Sequence, residues 1–328
     1  MSALLERLDA HKPALWLEVA PPRGISVESM LTRLAAVRDQ VGAINLADNA
    51  LGRVKLAPLV FGSMIKSRLG MAVVINFSCR DRNRYALKAD LLGAGALGID
   101  AVVALAGDKL AADPNGARPV HDLNTFSLLR TMGNMRRGDT GEGRRLLKTL
   151  PQFALGAVAN PNRQPIEREF ERLERKAQAG AEFVITQPVF DAAVARVFIA
   201  RARRYQLRVV LGILPVKRES MADYLKDRIP DLSGVRGPAP TSEDDVHDAM
   251  ERQLSAAVLR QLAGYSVLHR EQDDSPVAQP GSQLLTLHPR CVFDREYGPT
   301  AHSLSFEFGR GSILQHSVHH GRRRHLEL

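Results

Sequence analysis

One carboxylate stands where an apolar run is cut short, and that placement is the strongest chemical signal in the chain. Glu18 lies in Leu15-Trp16-Leu17-Glu18-Val19-Ala20, which stops at Pro21 and Pro22 and is followed by Arg23. The run is too brief for a helix. The prolines can extend neither a helix nor a sheet ladder, so the stretch reads as a buried strand with Glu18 near its C-terminal mouth. In parallel α/β sheets that mouth is where ligands bind and catalytic side chains gather. The plainer alternative is a structural carboxylate paired with a nearby Arg, the usual arrangement for a buried charge.

Other groups of reactive type are weaker candidates. Ala106-Gly107-Asp108-Lys109 follows an apolar run and leads into an irregular stretch with Pro114, Asn115, Gly116 and Pro119; a long loop at a strand mouth points to function. Arg136 to Gly143 sets three glycines among charged residues, but no strand leads into it and no helix N-cap follows, so it reads as a surface excursion and not a phosphate loop. Cys79 and Cys291 lie far apart without further ligands at metal spacing, which fits a reducing compartment and argues against structural zinc. His319, His320 and His325 near the C-terminus read as solvated residues, with no supporting partner for a metal in the pattern.

The formal charge of +9 belongs to the residues before 271, since six Arg face seven acids beyond that point. Basic residues alternate with acids, as in Glu167-Arg168-Glu169 and Glu171-Arg172-Leu173-Glu174-Arg175-Lys176. That is the pattern of solvated helix faces. No aromatics interleave with the cations as a nucleic-acid stacking platform requires, so no nucleic-acid partner is expected. No apolar stretch of about 18 residues occurs and the N-terminus lacks signal-peptide regions. The expectation is a soluble, cytoplasmic protein without a membrane partner.

The elements that must carry Glu18 alternate regularly. Strands are expected at residues 15–20, 43–47, 71–77, 101–105, 153–158, 183–187 and 208–214. Helices are expected at 26–41 after Ser26 as N-cap, 54–68, 82–97 ending at Gly98, 123–132, 166–179 ending at Gly180, 194–204 and about 219–226. Near-continuous apolar strands without hairpin turns imply buried parallel strands. Seven consecutive β/α steps favour an α/β fold of the (β/α)8 TIM-barrel type. The eighth strand falls at residues 265–268 or 284–287, on either side of a pattern change; residues 243–262 read as helix. Residues 1–270 form the barrel in this reading, and 271–328 an irregular, poorly ordered C-terminal tail.

Five segments taken in order carry a resemblance over roughly residues 12 to 235. They are Glu18 with Pro21-Pro22-Arg23; Asp81-Arg82-Asn83 before Asp90-Leu91-Leu92-Gly93-Ala94-Gly95-Ala96-Leu97-Gly98-Ile99; Ala104-Leu105-Ala106-Gly107-Asp108; Gly180 to Asp191 with its Thr186-Gln187-Pro188; and Gly212-Ile213-Leu214-Pro215-Val216. Together the chain resembles the methylenetetrahydrofolate reductase family. The resemblance implies a (β/α)8 barrel that binds FAD, ahead of FMN, and takes hydride from NADH or NADPH. It implies reduction of 5,10-methylenetetrahydrofolate to 5-methyltetrahydrofolate. Glu18 matches the family's general acid, Asp108 its acid near flavin and pterin, and Gln187 the amide that bonds the pterin. Without the resemblance, Asp108 reads equally as a helix cap or loop-stabilising residue, and Gln187 as a strand-end amide bonded to backbone.

The same resemblance assigns cofactor contacts to Asn76, Asn160, Glu169, Arg172, Arg175, Lys176 and Ala181, with Arg175 and Lys176 suited to FAD phosphates. It also exposes departures. Ala106 stands where the family often has Arg, Asn76 where His is common, and Asn160 where Tyr is common. These keep two alternatives in view: a flavin- and folate-binding subunit reduced by an electron-donor partner, and a non-catalytic folate-binding relative. A homo-oligomer is the other partner left open.

Overall fold

Strand residues of one parity are aliphatic, and those of the other parity are mostly small, so each strand has two faces with different tasks. The computed structural model describes residues 3–9, 15–39, 41–108, 118–141, 149–212, 223, 288–293 and 304–309. A short helix α1 (Ala3–Asp9) precedes seven strands: β1 (Trp16–Val19), β2 (Ala43–Leu46), β3 (Val73–Ser78), β4 (Ala101–Leu105), β5 (Ala154–Ala159), β6 (Phe183–Thr186) and β7 (Arg208–Val210). They form one sheet, all parallel, in chain order. Between them run α2 (Glu28–Ala36), α3 (Pro58–Leu69), α4 (Arg84–Ala96), α5 (Thr125–Arg136), α6 (Ile166–Gln178) and α7 (Ala192–Arg204). The sheet curls into a half-barrel with the helices outside it, the arrangement that parallel strands joined by helical crossovers adopt.

The outer parity makes the larger core. Leu17, Ile44, Val73, Ile75, Val102 and Leu155 pack against helix residues such as Phe61, Ile65, Leu91 and Leu128. Each fully buried aliphatic or Phe side chain contributes about 1.5–3 kcal/mol, and this layer is what holds the sheet. The inner parity makes a second core, in which Ala43, Val74, Ala101, Val103, Ala154 and Phe183 meet Leu4 and Leu5 of α1. The sequence reading assigned no element before Leu15, so α1 and its part in this core are additions from the structure.

Small inner residues make room for two rings. Trp16 and Phe183 meet edge to face, centroids 5.6 Å apart at 74°, a favourable aromatic geometry. Gly156 lies under Phe183, and a Cβ at that position would overlap the ring. The strand glycine is therefore a packing requirement.

Several boundaries differ from expectation. Ser26 does not cap α2: the N-cap is Val27, with no side-chain bond. α3 begins at Pro58 and not Val54, with proline at its first turn, where a missing N–H costs nothing. Asn83 caps α4 by accepting from Ala86 N at 2.9 Å. Asn124 caps α5 in a reciprocal box with Ser127, so that helix starts two residues late. The expected elements at 219–226, 243–262, 265–268 and 284–287, and the terminal histidines, lie outside the described residues, Asp223 excepted. Within the tail the described residues are two antiparallel strands, β8 (His288–Phe293) and β9 (Leu304–Gly309), which the sequence reading did not anticipate. No helix among the described residues is long and apolar enough to cross a membrane.

The Gly156–Phe183 contact generates a stability prediction. Gly156→Ala should destabilise the protein by about 1–3 kcal/mol, the scale of overpacking a filled core, as measured by urea unfolding. Adding Phe183→Leu should cost less on the Gly156→Ala background than on the wild type. Full additivity would show that the ring is not what excludes the methyl.

Candidate active site

Glu18 and Asn45 are ladder partners on the inner parity of β1 and β2. Asn45 Nδ2 donates to Glu18 Oε2 at 3.1 Å. Glu18 is exposed to solvent at the open mouth, while the protein atoms of the surrounding strands crowd its carboxyl and disfavour the charged form. Burial pushes its pKa up, the Asn45 bond pulls it down, and the Asp108 charge pushes it up, leaving it above the usual carboxylate value. A carboxyl held in this way is suited to keep a proton and deliver it. Asp108 is exposed, just beyond β4, and its effect on Glu18 places both acids at one mouth. Asn76, on the inner parity of β3, is 8% exposed, and its Oδ1 has no hydrogen-bond partner among the described residues. Asn45, 3% exposed, carries a second such oxygen. Two buried acceptors without donors on adjacent strands fit a ligand that brings N–H groups.

Two arginines that sequence reasoning did not single out frame this mouth. Arg80 is 1% exposed. Its Nε and Nη2 donate to Asp81 at 2.6 and 2.7 Å, its Nη1 to the Asp108 carbonyl at 3.2 Å, and Nη2 also to the Asn49 carbonyl at 3.0 Å. One guanidinium thus ties the ends of β2, β3 and β4 together. Gly107, at φ +92°, allows the closeness, because a Cβ there would overlap Ser78 Oγ and the Arg80 side chain. Burial alone pushes the Asp81 carboxyl up, but the Arg80 bonds and charge, with Asn49 and the Arg82 charge, outweigh it and hold Asp81 below its usual range. Arg82 grips the buried Asp48 carboxylate at 2.6 and 3.1 Å and reaches Asp90 at 2.9 Å. Asp48 Oδ2 in turn accepts from Ser78 N at 2.9 Å. Asp48-Asn49 at a strand end and Asp81-Arg82 in one segment were legible signals; a buried Arg80 had no marker but its place after an apolar strand.

The α6 residues divide by face. Glu169 and Lys176 share the helix face of Phe170 and Leu173 and are buried, 2% and 7% exposed. Lys176 Nζ donates to Glu169 Oε1 at 3.0 Å, Arg163 Nε to Glu169 Oε2 at 3.1 Å, and Asn160 N to Glu169 Oε1 at 3.2 Å. Burial lowers the Lys176 pKa against the pull of Glu169. Arg175 is on another face, exposed, with its guanidinium 4.2 Å from the Phe126 ring centroid. Arg172 is exposed, and its charge acts on Lys176. The expected Arg175–Lys176 pair is therefore not one cationic patch. Ala181 is buried, its N–H donating to the Lys176 carbonyl.

Gln187 is exposed just past β6, with its backbone N–H bonded to the Ala159 carbonyl at 2.7 Å. The neighbouring Gly212 N donates to Thr186 Oγ1 at 2.8 Å, fastening the segment after β7 to the end of β6. Cys79 is buried and its thiol is pushed up to about 11 by burial, so it is no nucleophile near neutral pH.

Comparison with known proteins bears on the whole site. The family model described as methylenetetrahydrofolate reductase matches residues 3–250. The 5,10-methylenetetrahydrofolate reductase of Salmonella typhimurium is 26% identical over 253 residues, 73% of this chain and 77% of that protein. The protein of the same name from Escherichia coli is 26% identical over 255 residues, with the same coverage. Among solved structures, a protein from Clostridium thermocellum that binds two copies of 5-methyl-5,6,7,8-tetrahydrofolic acid superposes with a TM-score of 0.51 at 15% identity, covering 80% of this chain and 86% of that one. That last likeness concerns the fold alone.

The Arg80–Asp81 pair generates a prediction of its own. Asp81→Asn leaves a buried guanidinium without its counter-charge and should destabilise the protein by about 3 kcal/mol, the low end for breaking a buried pair, as read by urea unfolding at pH 7. Because the folded Asp81 pKa is depressed, its contribution is complete above the ordinary value of about 3.9 and is lost as pH falls through the lower folded value. The wild-type excess over Asp81→Asn should shrink in that acid window; a difference constant down through it would contradict the pairing.

Proposed function

Because the chain belongs to the methylenetetrahydrofolate reductase family, we propose that it reduces 5,10-methylenetetrahydrofolate to 5-methyltetrahydrofolate, using a bound flavin, FAD ahead of FMN, and NADH or NADPH as hydride donor. The single observation that carries this reading is the Glu18 carboxyl, enclosed at a strand mouth with Asp108 acting on it and its pKa raised. The family's oxidoreductase chemistry needs an acid at the folate. Opening the methylene bridge leaves electrons on the departing ring nitrogen, which must take a proton, and the carbon becomes a cationic iminium that accepts hydride.

The residues fit a flavin at its ring end. Asn76 presents a buried oxygen with no donor among the described residues, and a heteroaromatic ring with N–H at its edge satisfies such an acceptor. Trp16, Phe183 and Val103 supply an apolar floor on the same inner face. Asn160, Glu169, Arg172, Arg175, Lys176 and Ala181 are proposed for the ribityl and phosphate end. Arg172 and Arg175 face outward there, and Lys176 acts through its hold on Glu169. A bound flavin supplies the two-electron transfer that no side chain can perform.

The chain's own residues account for the remaining requirements. Glu18 holds the proton and gives it to the nitrogen that leaves. Asp108 keeps a fixed negative charge beside the reacting group and favours the cationic iminium. Gln187 offers a donor and an acceptor to the pterin, whose edge has both. Arg80 holds the Asp108 backbone in place and spends its charge on Asp81, so the mouth stays net acidic towards the iminium.

Rapid mixing separates the two halves of the reaction. In Glu18→Gln the bound flavin should be reduced by nicotinamide at nearly the wild-type rate, while reoxidation by methylenetetrahydrofolate slows roughly 100-fold or more, the scale of general-acid catalysis. Undiminished reoxidation would remove Glu18 from the mechanism. A purified protein that carries no flavin and takes none up would defeat the reductase reading.

A further inference from the structure

Asn45 touches the Glu18 carboxyl directly, and only one end of its amide is satisfied. It is 3% exposed; its Nδ2 donates to Glu18 Oε2 at 3.1 Å, and its Oδ1, also buried, has no partner. An ionised carboxylate only accepts hydrogen bonds, so it must face the NH2 end. A protonated carboxyl carries an O–H, which the amide oxygen can accept. A half-turn about χ2, a broad and roughly two-fold torsion, exchanges the two ends.

In either orientation one end of the amide is left for a ligand to satisfy. With Nδ2 on Glu18 the free end is an acceptor, which a ligand N–H completes. With Oδ1 on Glu18 the free end is a donor, which a ligand carbonyl or ring nitrogen completes. A buried polar group left unmatched is costly, so the atom that a ligand places against Asn45 selects the orientation, and the orientation selects the form of Glu18. We propose that Asn45 is a positioning residue acting through Glu18: its amide N–H favours the ionised carboxyl in the free protein, and the amide turns to favour the protonated form when a fused heterocycle sets an acceptor atom against it. The proton comes from solvent and stays on Glu18 until the folate nitrogen takes it; no electrons move in this step. The inference rests on the functional reading above only for the identity of the ligand, since the amide's hold on Glu18 needs none.

The charges near Glu18 oppose that hold. Asp108, from the segment after β4, disfavours the ionised form. On β2 to β6 the inner-parity residues are neutral, and Arg208 of β7 shares that parity as the ladder partner of Phe183. Without Asn45, enclosure and Asp108 remain, and both favour the proton.

Carbon-13 NMR of glutamate-labelled full-length protein, free of folate, tests this, with Glu18→Gln assigning the resonance. In Asn45→Leu the Glu18 titration should move to higher pH than in the wild type; an unchanged midpoint overturns the proposal. Should Asn45→Leu fail to fold, Asn45→Ala serves the same comparison. Calorimetry with 5-methyltetrahydrofolate in two buffers of different ionisation heat supplies the second arm. Wild-type protein should take up a proton on binding, and Asn45→Leu should bind with that uptake reduced or lost. Equal uptake in both, or release of a proton by the wild type, overturns the coupling. Folate that does not bind wild-type protein at all defeats the functional reading, while the folate-free titration still decides whether Asn45 holds Glu18.

Discussion

A parallel ladder gives ladder partners no choice of side: Glu18 and Asn45, opposite each other on β1 and β2, must both face inward. Much of the molecule follows from keeping that polar pair in a mainly apolar sheet. The outer parity is surrendered to the helices, which bury it on β1 to β6 and leave Val209 of β7 half-buried. The inner parity is kept small at Ala43, Ala101, Ala154 and Gly156, so that Trp16 and Phe183 fill the base without blocking the mouth. What remains above them is an enclosed carboxyl whose charge is only partly compensated. A fully paired Glu18 would be a structural ion pair; one amide donor and a like-charged neighbour leave its pKa raised instead, the property that the proposed general acid needs.

The positive charges near the mouth are used in a way that preserves this condition. Arg80 is neutralised by Asp81 and Arg82 by Asp48 and Asp90, both within the β3-end segment. Neither reaches Glu18. Their guanidinium groups instead bind backbone carbonyls and buried carboxylates of neighbouring strands, which fixes the relative heights of the β2, β3 and β4 ends. The same economy holds on α6, where Lys176 and Arg163 close on Glu169. Positive charge that the sequence reading assigned to solvated helix faces is in part committed to internal carboxylates, while Arg172 and Arg175 face outward.

The sheet was legible because parallel strands buried on both faces read as unbroken aliphatic runs, and all seven strands of the parallel sheet fall where such runs occur. Helix ends were less so. Ser26 has the right chemistry for a cap, but the helix starts one residue further on, with Val27 at the cap position. The segment 54–57 has helical periodicity, yet Pro58 fixes the start. Glu18 and Asp108 could be placed at strand mouths because strand ends are marked by proline, glycine and polar breaks, whereas Asn76, inside β3, was marked only by the family resemblance. Lys176 was misleading: charge suggested surface, whereas its spacing of seven from Glu169, on the face of Phe170 and Leu173, specifies a buried pair. Arg80 and Asn45 depend on which neighbours the fold brings to them, and no local pattern encodes that.

In the proposed reaction Glu18, with its raised pKa, serves the folate half alone. The pH dependence of that half, measured by rapid mixing of reduced enzyme with methylenetetrahydrofolate, tests it most directly. A general acid with a raised pKa is active below that value, so the rate should fall as pH rises through it, and the fall should be absent from Glu18→Gln. Reduction of the flavin by nicotinamide should lack this limb. A folate half-reaction that is flat with pH, or that loses its rate only towards acid, would contradict the claim.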